Sequence, residues 1–289
     1  DQDEACKQVA VMMYQHLQGH RSVSLIAGPT GSGKSFISER LQQLFPGIVY
    51  LRDISNLTKD GWTGAKKLSS LFMNLRIPAA YNGKIHPLIV LDECDKFFAP
   101  AHNSDHDNVS DAVQSELLSV IHGGTVDVKV RNGDRDGWAT VDTRPMSFLF
   151  AGSFEKKAKA IAAKESPASL GFGAVFREPS LYERELTLED IMEAGCIPEL
   201  CGRIQRIINL HPFDEKLFRR ILDEKEKGPL AELEKEFGIR LRVSKRRKDD
   251  LAATAYSSGH GMRGMKRELR RFIDEAMWEN CDTEVIEIA

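Results

Sequence analysis

Eight consecutive residues carry the first chemistry legible in this chain. Gly28-Pro29-Thr30-Gly31-Ser32-Gly33-Lys34-Ser35 fits the pattern G-x-x-x-x-G-K-[ST], a loop whose glycines let successive backbone N–H groups curl around phosphate oxygens. It follows an apolar run and opens a helical one, so the positive end of a helix dipole adds to the site. Lys34 can reach the β- and γ-phosphates and Ser35 can ligate Mg2+, which makes ATP with Mg2+ the expected cofactor. A chance glycine turn is the bland alternative, and the flanking strand and helix weigh against it. Downstream, Leu88-Ile89-Val90-Leu91-Asp92-Glu93 is an apolar run ending in two carboxylates. Asp92 suits the Mg2+ shell, and Glu93 suits orienting and polarising an attacking water. Two acids after a strand are also what a helix N-terminus favours; paired with the phosphate loop they read as hydrolytic machinery.

The elements that must position these residues follow from the apolar pattern. Short apolar runs at 23–27, 48–51, 88–91 and 148–151 have the length of buried strands, and their continuous apolar character implies a parallel sheet. Helical stripes lie between them: Phe36, Ile37, Leu41 and Leu44; Leu68, Leu71, Phe72 and Leu75; Val113, Leu117, Leu118 and Ile121. A further stripe of Val9, Met12, Met13 and Leu17, with Val11 beside it, opens the chain, as expected of a segment cut from a longer polypeptide. The alternation predicts an α/β fold with helices on both faces of the sheet. Residues 102–108 and 132–137 read as exposed loop tips. His211-Pro212 disfavours continued helix and marks a boundary. Beyond it the pattern predicts helices at 214–225 and 230–237, a strand holding Ile239, Leu241 and Val243, and two helices around a turn at 257–261.

With 289 residues, 42% of them hydrophobic and 29% charged, the chain suits a globular protein of a large and a small domain. Forty basic against forty-three acidic side chains leave a formal net charge of -3, so no chain-wide positive field draws nucleic acid or anionic lipid. The run Lys245-Arg246-Arg247-Lys248 is followed at once by Asp249-Asp250 and reads as a solvated helix face. The five cysteines are odd in number and hold no C-x-x-C pair, which argues against a disulfide framework or structural zinc and for a reducing, cytoplasmic setting. No run is long enough to span a membrane.

From these residues outward the chain resembles the ClpX family of AAA+ unfoldases over residues 1–280. Asp92-Glu93-Cys94-Asp95-Lys96 is similar to its D-E-x-D-K, Ile197-Pro198-Glu199-Leu200-Cys201-Gly202-Arg203 to its I-P-E-F-x-G-R, and Gly261-Met262-Arg263-Gly264 to its G-x-R-G. The resemblance implies a P-loop NTPase AAA+ large α/β domain over 1–210 and a smaller, mainly helical C-terminal lid domain over 211–289. It also implies an arginine finger at Arg203, directed at the neighbouring subunit's nucleotide, and a sensor-2 arginine at Arg263 directed at its own. Both roles ask for a permanent cation with forked donors. A finger acting in trans places the sites between subunits, and a heterologous interface that closes makes a ring, by resemblance a homo-hexamer. Gly61-Trp62-Thr63-Gly64 resembles the G-Y-V-G pore loop that grips the polypeptide being pulled; by themselves these residues allow either a gripping Trp62 or one folded into the core. Leu170-Gly171-Phe172 resembles the [LIV]-G-[FL] tripeptide that docks on the ClpP peptidase, and also reads as a glycine-rich turn with two core apolars.

The chain departs from the family in several places. The family's N-terminal zinc-binding domain is not represented in these residues. Residues 102–108 are acidic where the second pore loop carries an arginine, and Arg131-Asn132-Gly133-Asp134-Arg135 replaces the basic pore-entrance loop, so tag specificity is expected to differ. Ser153 is the polar candidate for sensor 1 and equally a helix cap. The expected activity is ATP hydrolysis that unfolds protein substrates, tagged ones among them, and threads them into a ClpP-type peptidase. The alternatives are a peptidase-independent remodelling chaperone and a nucleic-acid-associated AAA+ ATPase, the latter disfavoured by the acidic balance.

Overall fold

The computed structural model describes residues 2–58, 66–75, 85–101, 109–132, 135–165, 184–225, 228–257, 261–281 and 283–288. The chain divides into two compact units, Gln2–Pro29 with Gly33–Leu210, and His211–Ala289 with Thr30–Ser32.

The first unit opens with helix α1 (Asp3–Leu17), strand β1 (Val23–Ala27), α2 (Lys34–Leu44) and β2 (Val49–Asp53). The two-residue strands β3 (Leu57–Thr58) and β4 (Lys66–Lys67) pair in parallel and lead to a 3-10 turn, Leu68–Phe72. Next come β5 (Leu88–Asp92), α3 (Cys94–Phe98) and α4 (Val109–His122). An antiparallel hairpin of β6 (Thr125–Asn132) and β7 (Arg135–Asp142) precedes β8 (Ser147–Gly152) and α5 (Glu155–Glu165). After α6 (Leu188–Glu193) and the short α7 (Pro198–Cys201), β9 (Arg206–Asn209) completes the unit.

Five of these strands form a parallel sheet in the order β2-β5-β8-β1-β9. Successive residues of a strand face opposite sides, and the sheet buries both. Val23, Leu25, Ile89, Leu91, Phe148 and Phe150 pack with Phe98 of α3, Leu117 and Ile121 of α4 and Leu200 of α7. Ile26, Leu88, Val90, Leu149 and Ile208 pack with Val9, Met12 and Met13 of α1 and Leu41 of α2. A sheet covered on both faces needs continuous apolar strands, which is why the runs of β1, β5 and β8 show no polar alternation.

The structure departs from the sequence reading in particulars. Val11, Phe36 and Leu44 are exposed although they sit near the stripes of α1 and α2. The stripe of Leu68, Leu71 and Phe72 forms the 3-10 turn, and its three side chains are buried. Of residues 132–137, Asn132 ends β6 and Arg135, Asp136 and Gly137 open β7, so these four are strand where the sequence reading expected loop; residues 133 and 134 lie outside the described residues. The alternation of Val126, Val128 and Val130 before Asn132-Gly133 is a hairpin signal. β9 goes unread because Arg206-Ile207-Ile208-Asn209 holds only two apolar residues. Cys94, Cys196 and Cys201 are buried, and all five cysteines are free thiols.

In the second unit, Asp214 accepts from the Leu217 N–H and caps α8 (Glu215–Leu222). Helices α9 (Pro229–Phe237), α10 (Lys245–Ser257) and α11 (Gly261–Glu279) surround a core of Phe218, Leu233, Leu251, Leu269 and Ile273. Strand β10 (Arg240–Val243) pairs in parallel with β11 (Val285–Ile288), a partner that the sequence reading missed. In the basic run that opens α10, Lys248 pairs with Asp223 and Arg247 lies over the Phe272 ring. No helix among the described residues is long and apolar enough to cross a membrane.

Candidate functional site

All five strands of the large sheet point the same way, so their carboxyl ends share one edge. β1 ends there at Ala27 and runs directly into the glycine loop. Gly31 and Gly33 adopt positive φ of 80° and 98°, conformations that glycine enters without the Cβ penalty. Gly33 is the N-cap of α2, and Lys34 is its first residue. The Lys34 ammonium donates to the carbonyls of Gly28 and Pro29, 2.7 Å from each. Burial pushes its pKa down to about 8, against the pull of Asp95, Asp92 and Glu155. Thr30–Ser32 group with the second unit.

β5 delivers Asp92 and Glu93 to the same edge. Burial raises the Asp92 carboxyl above its ordinary value, although Oδ1 accepts the Glu93 N–H at 2.9 Å. Glu93 caps α3 with a left-handed backbone, φ 59°, an uncommon conformation for a residue with a Cβ and a frequent mark of functional positions. Its Oε2 accepts from Lys96 Nζ at 2.7 Å. β8 lies between β1 and β5 and ends at Gly152. A Cβ on Gly152 would meet Cys94 Sγ at 2.8 Å and the Asp95 nitrogen at 3.0 Å, so only glycine lets the first turn of α3 sit this close. Ser153 follows, and its hydroxyl donates to Asp95 Oδ2 at 2.8 Å. Asp95 thus joins β8 to α3 and adds to the negative field on Lys34. The sequence reading quoted Asp95 only within its motif, and its third place in D-E-x-D-K was the available signal.

Phosphate and a hard cation ask for this donor set: an ammonium, carboxylates, a hydroxyl and a glycine loop with left-handed turns. Lys34, Asp92 and Ser35 of the first unit fit the group, Lys34 as an ammonium whose charge burial disfavours and the nearby carboxylates favour. The predicted loop residues Gly28, Pro29 and Gly33, with Lys34, Ser35, Asp92 and Glu93, are therefore gathered at one sheet edge.

Arg203 stands elsewhere in the first unit, exposed just after α7. Its Nη2 donates to His122 Nε2 at the end of α4. Arg263 belongs to α11 of the second unit. Gly61, Trp62, Thr63 and Gly64, Leu170, Gly171 and Phe172, and residues 102–108 lie outside the described residues.

Residues 20–207 match the family described as AAA domain (Cdc48 subfamily). Among curated proteins, the chain is 26% identical to the ATP-dependent Clp protease ATP-binding subunit ClpX of Treponema denticola, across 96% of this chain and 73% of that protein. The protein of the same name in Porphyromonas gingivalis is 26% identical, across 96% and 74%. The ATP-dependent Clp protease ATP-binding subunit ClpX 3 of Methylococcus capsulatus is 28% identical, across 91% and 65%. The family match spans well over half of the chain and contains β1, β2, β5 and β8 with both the acidic and the glycine-rich motif, so the chain belongs to the AAA family and is a ClpX-like AAA+ protein.

Proposed function

We propose that this chain is the ATP-hydrolysing subunit of a homo-hexameric ring that unfolds tagged protein substrates and threads them into a ClpP-type peptidase. The observation that carries the hydrolytic part is the Lys34 ammonium, held on two loop carbonyls within electrostatic reach of Asp95 and Asp92 at the carboxyl edge of the sheet. When bound, Mg-ATP supplies a transferable γ-phosphoryl group and a divalent charge. Lys34 would hold phosphate oxygens in place of its carbonyl acceptors, and the N–H groups of the loop and of the start of α2 would donate to the same anion. Ser35 and Asp92 hold the cation. Glu93 releases Lys96 and orients a water through its carboxylate. Arg203 stabilises phosphoryl charge in the neighbouring subunit's site, and Arg263 does so for its own subunit.

The printed names of the relatives, ATP-binding subunits of a Clp protease, support the motor and its peptidase partner. The likeness of Gly61-Trp62-Thr63-Gly64 to a pore loop extends the reading to gripping by Trp62, and the likeness of Leu170-Gly171-Phe172 to a docking tripeptide extends it to docking by those residues. A cytoplasmic setting accords with the free thiols. Glu93→Gln tests the core of the reading, because it keeps the size of the side chain but cannot polarise water. ATP binding, measured by fluorescence titration, is expected to stay within about threefold of native, while turnover falls at least about a hundredfold. Native turnover in this variant overturns the assignment.

A further inference from the structure

Gln114 is fully buried on α4, on one stripe with Leu117, Leu118 and Ile121. Its amide bonds backbone through both polar atoms and, through its nitrogen, a hydroxyl as well. Oε1 accepts the Ile197 N–H at 2.9 Å, and Nε2 donates to the Gly195 carbonyl at 2.9 Å and to Ser110 Oγ at 3.0 Å. An N–H can only donate and a carbonyl can only accept, so these partners determine which amide atom is oxygen. The Ser110 hydroxyl in turn donates to the Phe97 carbonyl at 2.8 Å. Phe97 lies in α3, the helix capped by Glu93, where the last carbonyls lack partners inside the helix.

The other end of this chain of bonds leads to Arg203. Ile197 caps α7, and Pro198 stands in its first turn, a position that suits the fixed φ of proline. The Leu200 and Cys201 N–H groups donate to the Ile197 carbonyl, and the Arg203 N–H donates to the Leu200 carbonyl. Gly195 presses the same segment onto α3: its φ is +110°, and a Cβ there would lie 2.2 Å from the Phe98 carbonyl oxygen. At the far end of α4, His122 receives the Arg203 guanidinium. α4 therefore touches the segment at both ends.

We propose that Gln114, seated by Ser110, is the positioning residue for Arg203, and that it locks the Gly195–Ile197 turn to the helix that begins at Glu93. The proposal rests on the reading of Arg203 as a finger for the neighbouring site. It adds that the finger is held by the same α3 whose N-cap is the water-orienting carboxylate, so the two ends of a subunit's hydrolytic apparatus move as one body. A buried amide that bonds backbone through both its oxygen and its nitrogen is a rigid tie, because breaking it strands a donor and an acceptor away from water.

Gln114→Met keeps the volume and loses both backbone bonds. In rings of this variant, kcat for ATP is expected to fall about tenfold or more with KM within about twofold, as for a misplaced charge-stabilising group. Mixed with Lys34→Ala subunits, which keep Gln114 and Arg203, roughly half of the Gln114→Met sites meet an intact finger, and ATPase per Gln114→Met subunit should rise to about half the native value. A generally damaged subunit would not be rescued by a neighbour whose own site is dead. A kcat within about twofold of native overturns the proposal. So does a loss that mixing does not restore while the loss in Arg203→Ala rings is restored. If Arg203→Ala is not restored although subunit exchange is verified, the finger reading itself fails. If Gln114→Met subunits do not fold, Ser110→Ala decides: it removes the hydroxyl that links Gln114 to the Phe97 carbonyl and leaves both backbone bonds of Gln114, and its kcat must fall at least about twofold and recover on mixing. An unchanged kcat overturns the tie.

Discussion

Burial works against the charge on Lys34, and Asp92 is likewise pushed toward its neutral form by burial. In the proposed site each would be completed by a partner of opposite charge, the lysine by phosphate and the carboxylate by a cation. Lys34→Ala removes the one ammonium on the loop carbonyls. It is expected to weaken ATP binding about ten- to a hundredfold, the equivalent of one charge-assisted hydrogen bond, as read by equilibrium titration. Affinity unchanged in this variant would remove the lysine from the site. Glu93 is different, since its partner Lys96 is exposed and gives way at little cost.

The elements around the site are held by polar ties as well as by apolar packing. His16 of α1 is 3% exposed. Its Nε2 donates to the His86 carbonyl at 2.8 Å, which leaves Nδ1 to accept from the Ser147 hydroxyl at 2.9 Å, and Ser147 Oγ accepts the Ser22 N–H at 3.0 Å. One neutral imidazole thus joins α1 to the entries of β5, β8 and β1. Burial holds its pKa below the ordinary 6.5. Above that pH the folded and unfolded forms are both neutral; below it the unfolded chain takes up the proton first, so stability declines as pH falls through 6.5 toward the folded value. The thermal midpoint of the native protein should therefore drop more steeply between about pH 7 and 5.5 than that of His16→Gln. Parallel curves would show that His16 does not titrate with folding. Gly195→Ala acts on the other face of the sheet. Its positive φ and the 2.2 Å approach to Phe98 predict a loss of about 3 kcal/mol or more, measured by denaturant unfolding.

At the scale of the whole molecule, the reading of a ring that feeds a peptidase is tested by association. Phe172 and Leu170 flank Gly171 in the proposed docking tripeptide, and six such loops on one ring would bind with avidity. Phe172→Ala is expected to weaken ATP-dependent association with the cognate ClpP-type peptidase at least about thirtyfold, by sedimentation of the mixed complex. Active hexamers of the native chain that show no association at all would favour a chaperone working without a peptidase. A ring whose ATPase is stimulated by DNA would instead favour the nucleic-acid-associated alternative.

The sequence by itself determined what short stretches of chain can encode. The glycine loop, Lys34 and Ser35 are contiguous, and Asp92 and Glu93 end one apolar run, so type and spacing alone announce phosphate chemistry. β1, β5 and β8 are legible for the same reason, because a strand buried on both faces must be apolar throughout. Only the tertiary structure decided which strands are neighbours. The order β2-β5-β8-β1-β9 puts β8 between the two motifs and so brings Ser153 onto Asp95. It also makes a strand of Arg206–Asn209, whose composition is too polar to declare itself. Gln114 shows the limit most plainly. As a polar residue on an apolar stripe it is an anomaly in the sequence, and its partners stand 81 and 83 residues away. Such a residue has no local meaning: burying its amide is affordable only where distant backbone groups complete its hydrogen bonds, and the fold alone brings them there.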